Sequence, residues 1–69
     1  MNVLIIKYRD NIDINLANGW YHHPTPIRFA DYIKSQCDGI KQCIRLKDRN
    51  TKIIFENEQY KTWFILRWS

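Results

Sequence analysis

The stretch Ile40-Lys41-Gln42-Cys43-Ile44-Arg45-Leu46-Lys47-Asp48-Arg49-Asn50-Thr51-Lys52-Ile53-Ile54-Phe55 decides the fold. Two runs rich in β-branched and aromatic residues flank a short polar segment, the pattern of an antiparallel hairpin with strands over 40–47 and 51–56. With Arg49-Asn50 as the two-residue turn, Leu46 pairs with Ile53 and Ile44 with Phe55 on one face, and Lys47 faces Lys52 on the other. Directly opposed lysines weaken a sheet. That register therefore implies a use for positive charge outside the fold, toward an acidic partner or a nucleic-acid backbone.

On the C-terminal side, the segment 61–68 reads as a third strand of a meander, with Glu58-Gln59 as its turn. Glu56 then meets Lys61, Ile54 meets Trp63, and Ile53 meets Phe64. One face presents Ile44, Leu46, Ile53, Phe55, Phe64 and Leu66 to a covering helix. The other presents Arg45, Lys47, Lys52, Ile54, Trp63, Ile65 and Arg67.

On the N-terminal side, Val3 to Tyr8 opens with four consecutive apolar residues, as expected of a central strand covered on both faces. Arg9 to His23, with its many Asn and Asp residues and Asn18-Gly19, reads as a long connection. Thr25-Pro26 supplies an N-cap and a first-turn proline for a helix. In that helix Ile27, Ala30, Ile33 and Cys37 form an apolar stripe widened by Phe29, and Asp38-Gly39 stops it. Arg28, Asp31, Lys34 and Ser35 face solvent, with Tyr32 and Gln36 at the flanks. The expected fold class is α+β: one domain spanning residues 1–69, a single helix packed on an antiparallel sheet, in the order β-α-β-β-β.

The chain has 69 residues, so it buries only about 60% of its unfolded surface and has little room for a deep catalytic cleft. Three Trp, four Tyr and three Phe give it large side chains with which to build a core without disulfides or metal. The net charge of +4 is unevenly placed: four basic residues balance four acidic ones over 1–39, whereas seven face three over 40–69. The basic surface thus belongs to the C-terminal strands. Cys37 and Cys43 fit no secreted disulfide framework and read as reduced thiols. The N-terminus lacks the basic region and cleavage site of a signal peptide, and four apolar residues are too few for a membrane span. A cytoplasmic location is the expectation.

Trp20-Tyr21-His22-His23-Pro24 invites thoughts of metal, but metal needs three or four converging ligands, and Cys37 and Cys43 fit no zinc spacing. Cys37 lies on the apolar stripe, where a thiol acts as a small hydrophobe, and Cys43, expected to be more exposed, has no identifiable base. With only Gly19 and Gly39 there is no phosphate-cradling loop, and neither a carboxylate pair nor a nucleophile elbow is found. No enzyme, metal or cofactor is expected.

What remains is an apolar centre, Ile54, Trp63 and Ile65, with a basic rim of Arg45, Lys47, Arg49, Lys52 and Arg67, the anatomy of a partner-binding patch to which Lys34 of the helix is added. Basic strands interleaved with aromatic residues also suit nucleic acid, although no RNP-type pattern, GXXG loop or helix-turn-helix spacing is present. The same patch could be covered by the Arg9–His23 segment or by a second copy, so both monomer and homodimer are open.

In order, strand, connection, a helix reading Ile27-Arg28-Phe29-Ala30-Asp31-Tyr32-Ile33-Lys34-Ser35-Gln36-Cys37, and then a three-stranded meander with Trp63, the chain resembles a family of small phage anti-CRISPR proteins that inhibit type I-F effector complexes. The resemblance rests on Ile5-Ile6-Lys7, Asn11-Ile12, Ala30, Ile33, Cys37, Lys61 and Trp63. It implies an inhibitor that docks on the backbone subunits of the surveillance complex and interferes with pairing of target DNA to the guide. Family members use basic residues on the exposed helix face. Here that stretch holds Asp31, Tyr32 and Gln36, with Lys34 its only nearby cation, so the basic strands take over the contact. The alternatives are a small nucleic-acid-binding module and a small oligomeric structural phage protein.

Overall fold

The computed structural model describes residues 2–69. Its elements are β1 (Val3–Ile6), α1 (Asn11–Tyr21), α2 (Phe29–Ser35), β2 (Ile40–Arg45), β3 (Thr51–Phe55) and α3 (Glu58–Trp68). The class is α+β with an all-antiparallel sheet in the order β1-β3-β2, so the middle strand is β3 and β1 lies at an edge. Three helices, rather than one, pack on a single face of this sheet, and the order is β-α-α-β-β-α.

β3 alternates strictly. Thr51, Ile53 and Phe55 are buried, and Lys52 and Ile54 turn outward. Leu4 and Ile6 of β1 and Ile40 and Cys43 of β2 lie opposite these inward residues. The helices add Leu16, Tyr32, Ile33 and Phe64, closing one core around Ile53 and Phe55, both fully buried. Phe55 and Phe64 meet edge to face at 5.5 Å, which fixes α3 against the sheet.

The segment expected as a third meander strand is therefore helix α3. Asn57 caps it, its side-chain oxygen accepting the Tyr60 N–H at 3.2 Å, with Glu58 in the first turn and Arg67 in the last, as the helix dipole favours. Phe64 is buried as expected, but Leu66, two residues on, is 72% exposed, because the period is helical and not two. The pairings of Ile54 with Trp63, Ile53 with Phe64 and Glu56 with Lys61 do not form.

The connection expected over 9–23 contains α1. Its inward residues Ile12, Asp13, Leu16 and Trp20 recur at helical spacing. Gly19 sits inside this helix because Tyr32 of α2 crosses there: a Cβ at position 19 would fall on the Tyr32 hydroxyl. α2 is shorter than expected, with Arg28 in place of Thr25 at its N-cap, and it buries Tyr32 beside Ile33.

The β2–β3 register differs by three residues from the expected one. Cys43 faces Ile53, Ile44 faces Lys52 and Arg45 faces Thr51, with a bulge between Ile40 and Gln42. Lys47 does not oppose Lys52. It lies in a three-residue loop, 47–49, closed by Leu46 N–H to Asn50 O at 2.8 Å and Arg49 N–H to Leu46 O at 3.1 Å. Arg49 takes the left-handed conformation (φ 68°) that such loops require at their third position. An odd shift exchanges faces, so Ile44 turns outward and is 37% exposed.

Candidate functional site

The expected basic face is dispersed by this topology. Lys52 and Ile54 stay on the bare outer face of the sheet, with Val3, Ile5 and Ile44 around them. Trp63 and Arg67 ride on α3, on the far side of the core. Lys34 is on the exposed side of α2, and its charge and that of Arg45 are both felt at the Cys43 thiol. Arg45 and Arg49 end up with residues that sequence reasoning had not joined to them.

Those residues belong to two tight turns that meet at one end of the sheet. Between β1 and α1, Asp10 N–H bonds to Lys7 O at 3.1 Å, and Arg9 adopts φ 67°. Asp13, in the first turn of α1 and only 6% exposed, accepts the Arg9 N–H at 2.9 Å. Asn50, closing the other turn, accepts the Tyr8 N–H at 2.9 Å and ties the two turns together. Arg9 and Arg49 are the only non-glycine residues with positive φ among those described, and both guanidiniums lie 5.4 Å from the centre of the Tyr8 ring. Hydrogen bonding from Arg9 and then Arg49, with their positive charge, holds the Tyr8 hydroxyl below its usual range near 10.0. A left-handed conformation at a non-glycine residue costs on the order of 1 kcal/mol. Two such residues aimed at one tyrosine are the kind of local cost that functional sites retain.

Beside this cluster lies a cleft of about 400 Å³ lined by Tyr8, Asp13, Trp20, Arg28, Phe29 and Arg45. Arg45 stacks on Phe29 at 4.8 Å, and Phe29 packs on Trp20 at 5.3 Å. Trp20 is held in turn by its indole N–H, which donates to Ile27 O at 2.6 Å. One end of the molecule thus gathers Arg9, Arg28, Arg45 and Arg49 around three aromatic rings. Such a surface offers planar cations for carboxylate or phosphate and ring faces for stacking.

A second groove, about 610 Å³, runs between α3 and the α2–β2 connection and includes Trp63, Leu66, Arg67 and Cys37. Arg67 donates to the Gln36 backbone and side-chain oxygens at 3.3 and 3.4 Å, so its guanidinium is occupied in closing the fold. His22 donates through Nδ1 to Asn18 O at 2.8 Å, and His23 packs edge-on to Tyr32 at 5.5 Å, which places both in the turn after α1. Among the described residues no three His, Cys, Asp or Glu side chains gather as metal ligands. Cys43 is half-buried rather than exposed, and burial raises its thiol to about 11. No helix among the described residues is long and apolar enough to cross a membrane.

None of Tyr8, Arg9, Trp20, Arg28 and Phe29 was expected as a binding residue from sequence, where Trp20 stood out only as part of the run ending at His23-Pro24, and Arg28 and Phe29 only as faces of the expected helix. The available signal was that Arg9 and Arg49 each sit in a turn rich in Asp and Asn, Arg9-Asp10-Asn11 and Asp48-Arg49-Asn50, where a left-handed residue is common. Comparison with protein-family models, curated proteins and solved structures returns no match to this chain.

Proposed function

We propose that this chain is a non-enzymatic binding protein that engages an acidic or phosphate-rich macromolecular complex through its arginine–aromatic end. In this reading it is a phage-type inhibitor of a bacterial defence ribonucleoprotein, acting in the host cytoplasm as type I-F anti-CRISPR proteins do. The observation that carries the proposal is the gathering of Arg28 and Arg45 in the cleft of Tyr8, Trp20 and Phe29, with Arg9 and Arg49 on the Tyr8 ring at its border. Arginine and aromatic anchors supply most of the energy in interfaces of this type. Lys47, on the adjoining loop, and Lys34, near Arg45, extend the positive field. Lys52 and Ile54 on the open sheet and Trp63 on α3 belong to other surfaces and are not required for this contact.

The test is capture of an effector complex by the tagged protein from a bacterial lysate, with and without nuclease, for the parent and for Arg45→Glu/Arg49→Glu. A nuclease-resistant complex that is lost in the variant, while far-UV circular dichroism is unchanged, supports the proposal. Retention by the variant refutes it.

The flat rings beside guanidiniums also favour a second reading, direct binding of single-stranded nucleic acid, with bases stacking on Trp20 or Phe29. Engagement of four phosphates then gives a slope of log affinity against log salt of about −3. A protein surface contacted by the same arginines responds less steeply.

A further inference from the structure

The sequence of β1 disagrees with its position. Val3-Leu4-Ile5-Ile6 is apolar throughout, as in an interior strand covered on both faces, yet β1 is an edge of the sheet and its outer face is open at Ile5. The other edge is guarded in the usual way. β2 carries Lys41, Gln42 and Arg45 and is bulged next to Ile40. β1 has no charge, proline or bulge. Asn2 O accepts the Phe55 N–H, so the residues hydrogen-bonded to β3 are Asn2, Leu4 and Ile6. The backbone groups of Val3 and Ile5 point to the open side, and the Ile5 side chain is 47% exposed.

We propose that β1 pairs antiparallel with β1 of a second copy of this chain, with Leu4 opposite Leu4, joining two three-stranded sheets into one. Matching the inner and outer faces of the two copies requires that opposed residue numbers sum to an even value. In the Leu4–Leu4 register, Val3 of each copy faces Ile5 of the other, and each such pair exchanges both of its free backbone hydrogen bonds. Shifting the centre to Ile5 would set Val3 against Lys7, whose carbonyl is already taken by the Asp10 N–H. The pairing is two-fold and closes on itself, so it ends at a dimer.

Charge selects the edge over the face. Lys52 sits in the middle of the bare outer face, opposite Ile5 on one side and Ile44 on the other. Stacking two such faces about 10 Å apart would enclose both Lys52 side chains in one dry layer. Edge pairing puts the two Lys52 residues three strand spacings apart, about 14 Å, beyond the screening length of physiological salt. The contact is small, so the dimer is weak.

Sedimentation velocity from about 10 μM to about 1 mM covers the range in which an interface of this size associates. The expected result is a monomer that converts to a dimer, with amide exchange of Val3 and Ile5 slowing severalfold over the same range while that of Leu4 and Ile6, already bonded to β3, does not change with concentration. Ile5→Lys should weaken association at least tenfold, and Ile44→Lys, on the same face but away from β1, should leave it intact. A chain that stays monomeric at the highest concentration overturns the proposal. So does a dimer that survives Ile5→Lys or is lost in Ile44→Lys. Should Ile5→Lys fail to fold, the concentration dependence of Val3 and Ile5 exchange in the parent decides.

Discussion

Truncating two neighbours on α3, Phe64 and Leu66, tests the helical period of the C-terminal segment directly. In a strand both side chains would face the core. In the helix Phe64 is 2% exposed and Leu66 is 72% exposed. Phe64 packs on Phe55 at 5.5 Å and on Trp68 at 6.3 Å, so its removal opens a cavity between α3 and the sheet as well as losing two ring contacts. The cost of Phe64→Ala is about 3–5 kcal/mol. A chain of 69 residues has a total stability of about 3–10 kcal/mol, so this variant should be unfolded or nearly so at 25 °C. Phe64→Leu keeps most of the buried volume and should lose about 1–2 kcal/mol, which is measurable. Leu66→Ala should change stability by less than about 0.5 kcal/mol. Urea titrations followed by circular dichroism give all three. A Leu66→Ala loss as large as that of Phe64→Leu would refute the helix and restore the meander.

The remaining predictions concern single groups. Thr51 is 1% exposed and its hydroxyl has no hydrogen-bond partner among the described residues, so Thr51→Val, of the same shape, should raise stability by about 1 kcal/mol in the same titrations. Cys43, with its thiol raised by burial from 9.0 to about 11, should have a thiolate fraction at pH 8 about a hundredfold below that of a free thiol, read as slow alkylation in Cys37→Ser. Because the folded value lies above the unfolded one, the Cys43 contribution to stability is fully present below pH 9 and is lost as pH rises through 11, a decline that Cys43→Ala should remove. Tyr8 has the opposite sign: its folded value is lowered, so it contributes stability only in alkali, fully above pH 10, and loses it as pH falls through the folded value. Absorbance at the phenolate band should show a tyrosine ionising below the usual value of 10.0, and Tyr8→Phe should abolish that phase. Arg9→Gly and Arg49→Gly relieve left-handed backbone while losing one ring contact each, so each should stay within about 1 kcal/mol of the parent in stability and still weaken partner capture.

The parts of the fold legible in sequence are those whose local preference agrees with their final place. Val3–Ile6, Ile40–Arg45 and Thr51–Phe55 are β-branched runs and form strands, and Ile33 with Phe29 marks α2. α3 was hidden because Thr62, Trp63, Phe64 and Ile65 favour strands, and because Phe64 and Leu66 mimic a period of two. The Asn57 cap and the spacing from Phe64 to Trp68 were the countervailing signs. α1 was hidden by its asparagines and Gly19, poor helix formers whose cost is offset by packing of Leu16 and Trp20 and, at Gly19, by the crossing of Tyr32. Of the candidate site, Arg45 and Arg49 were found because charge patterning is local. Tyr8, Arg9, Trp20, Arg28 and Phe29 reach them only through long-range pairing such as that of Tyr8 N–H with Asn50, which no local pattern encodes.

The two departures of this chain from good local sense lie at one end and one edge of the same small sheet. Arg9 and Arg49 occupy positions that glycine or asparagine would fill more cheaply, and both guanidiniums are spent on Tyr8 at the surface rather than on the core. β1 leaves the Ile5 side chain and the backbone groups of Val3 and Ile5 open at an edge that carries no charge to protect it. Neither feature improves an isolated monomer. On the two proposals made above, each becomes favourable when a component is added: an acidic surface for the arginines, a further strand for the edge. Pairing through β1 would also place two arginine–aromatic ends on one continuous sheet. Two weak contacts with an extended, repetitive partner would then gain from effective concentration what each lacks alone. A covalently linked dimer should accordingly hold such a partner more tightly than the monomeric Ile5→Lys variant does. Equal affinity of the two would separate the edge from the binding end.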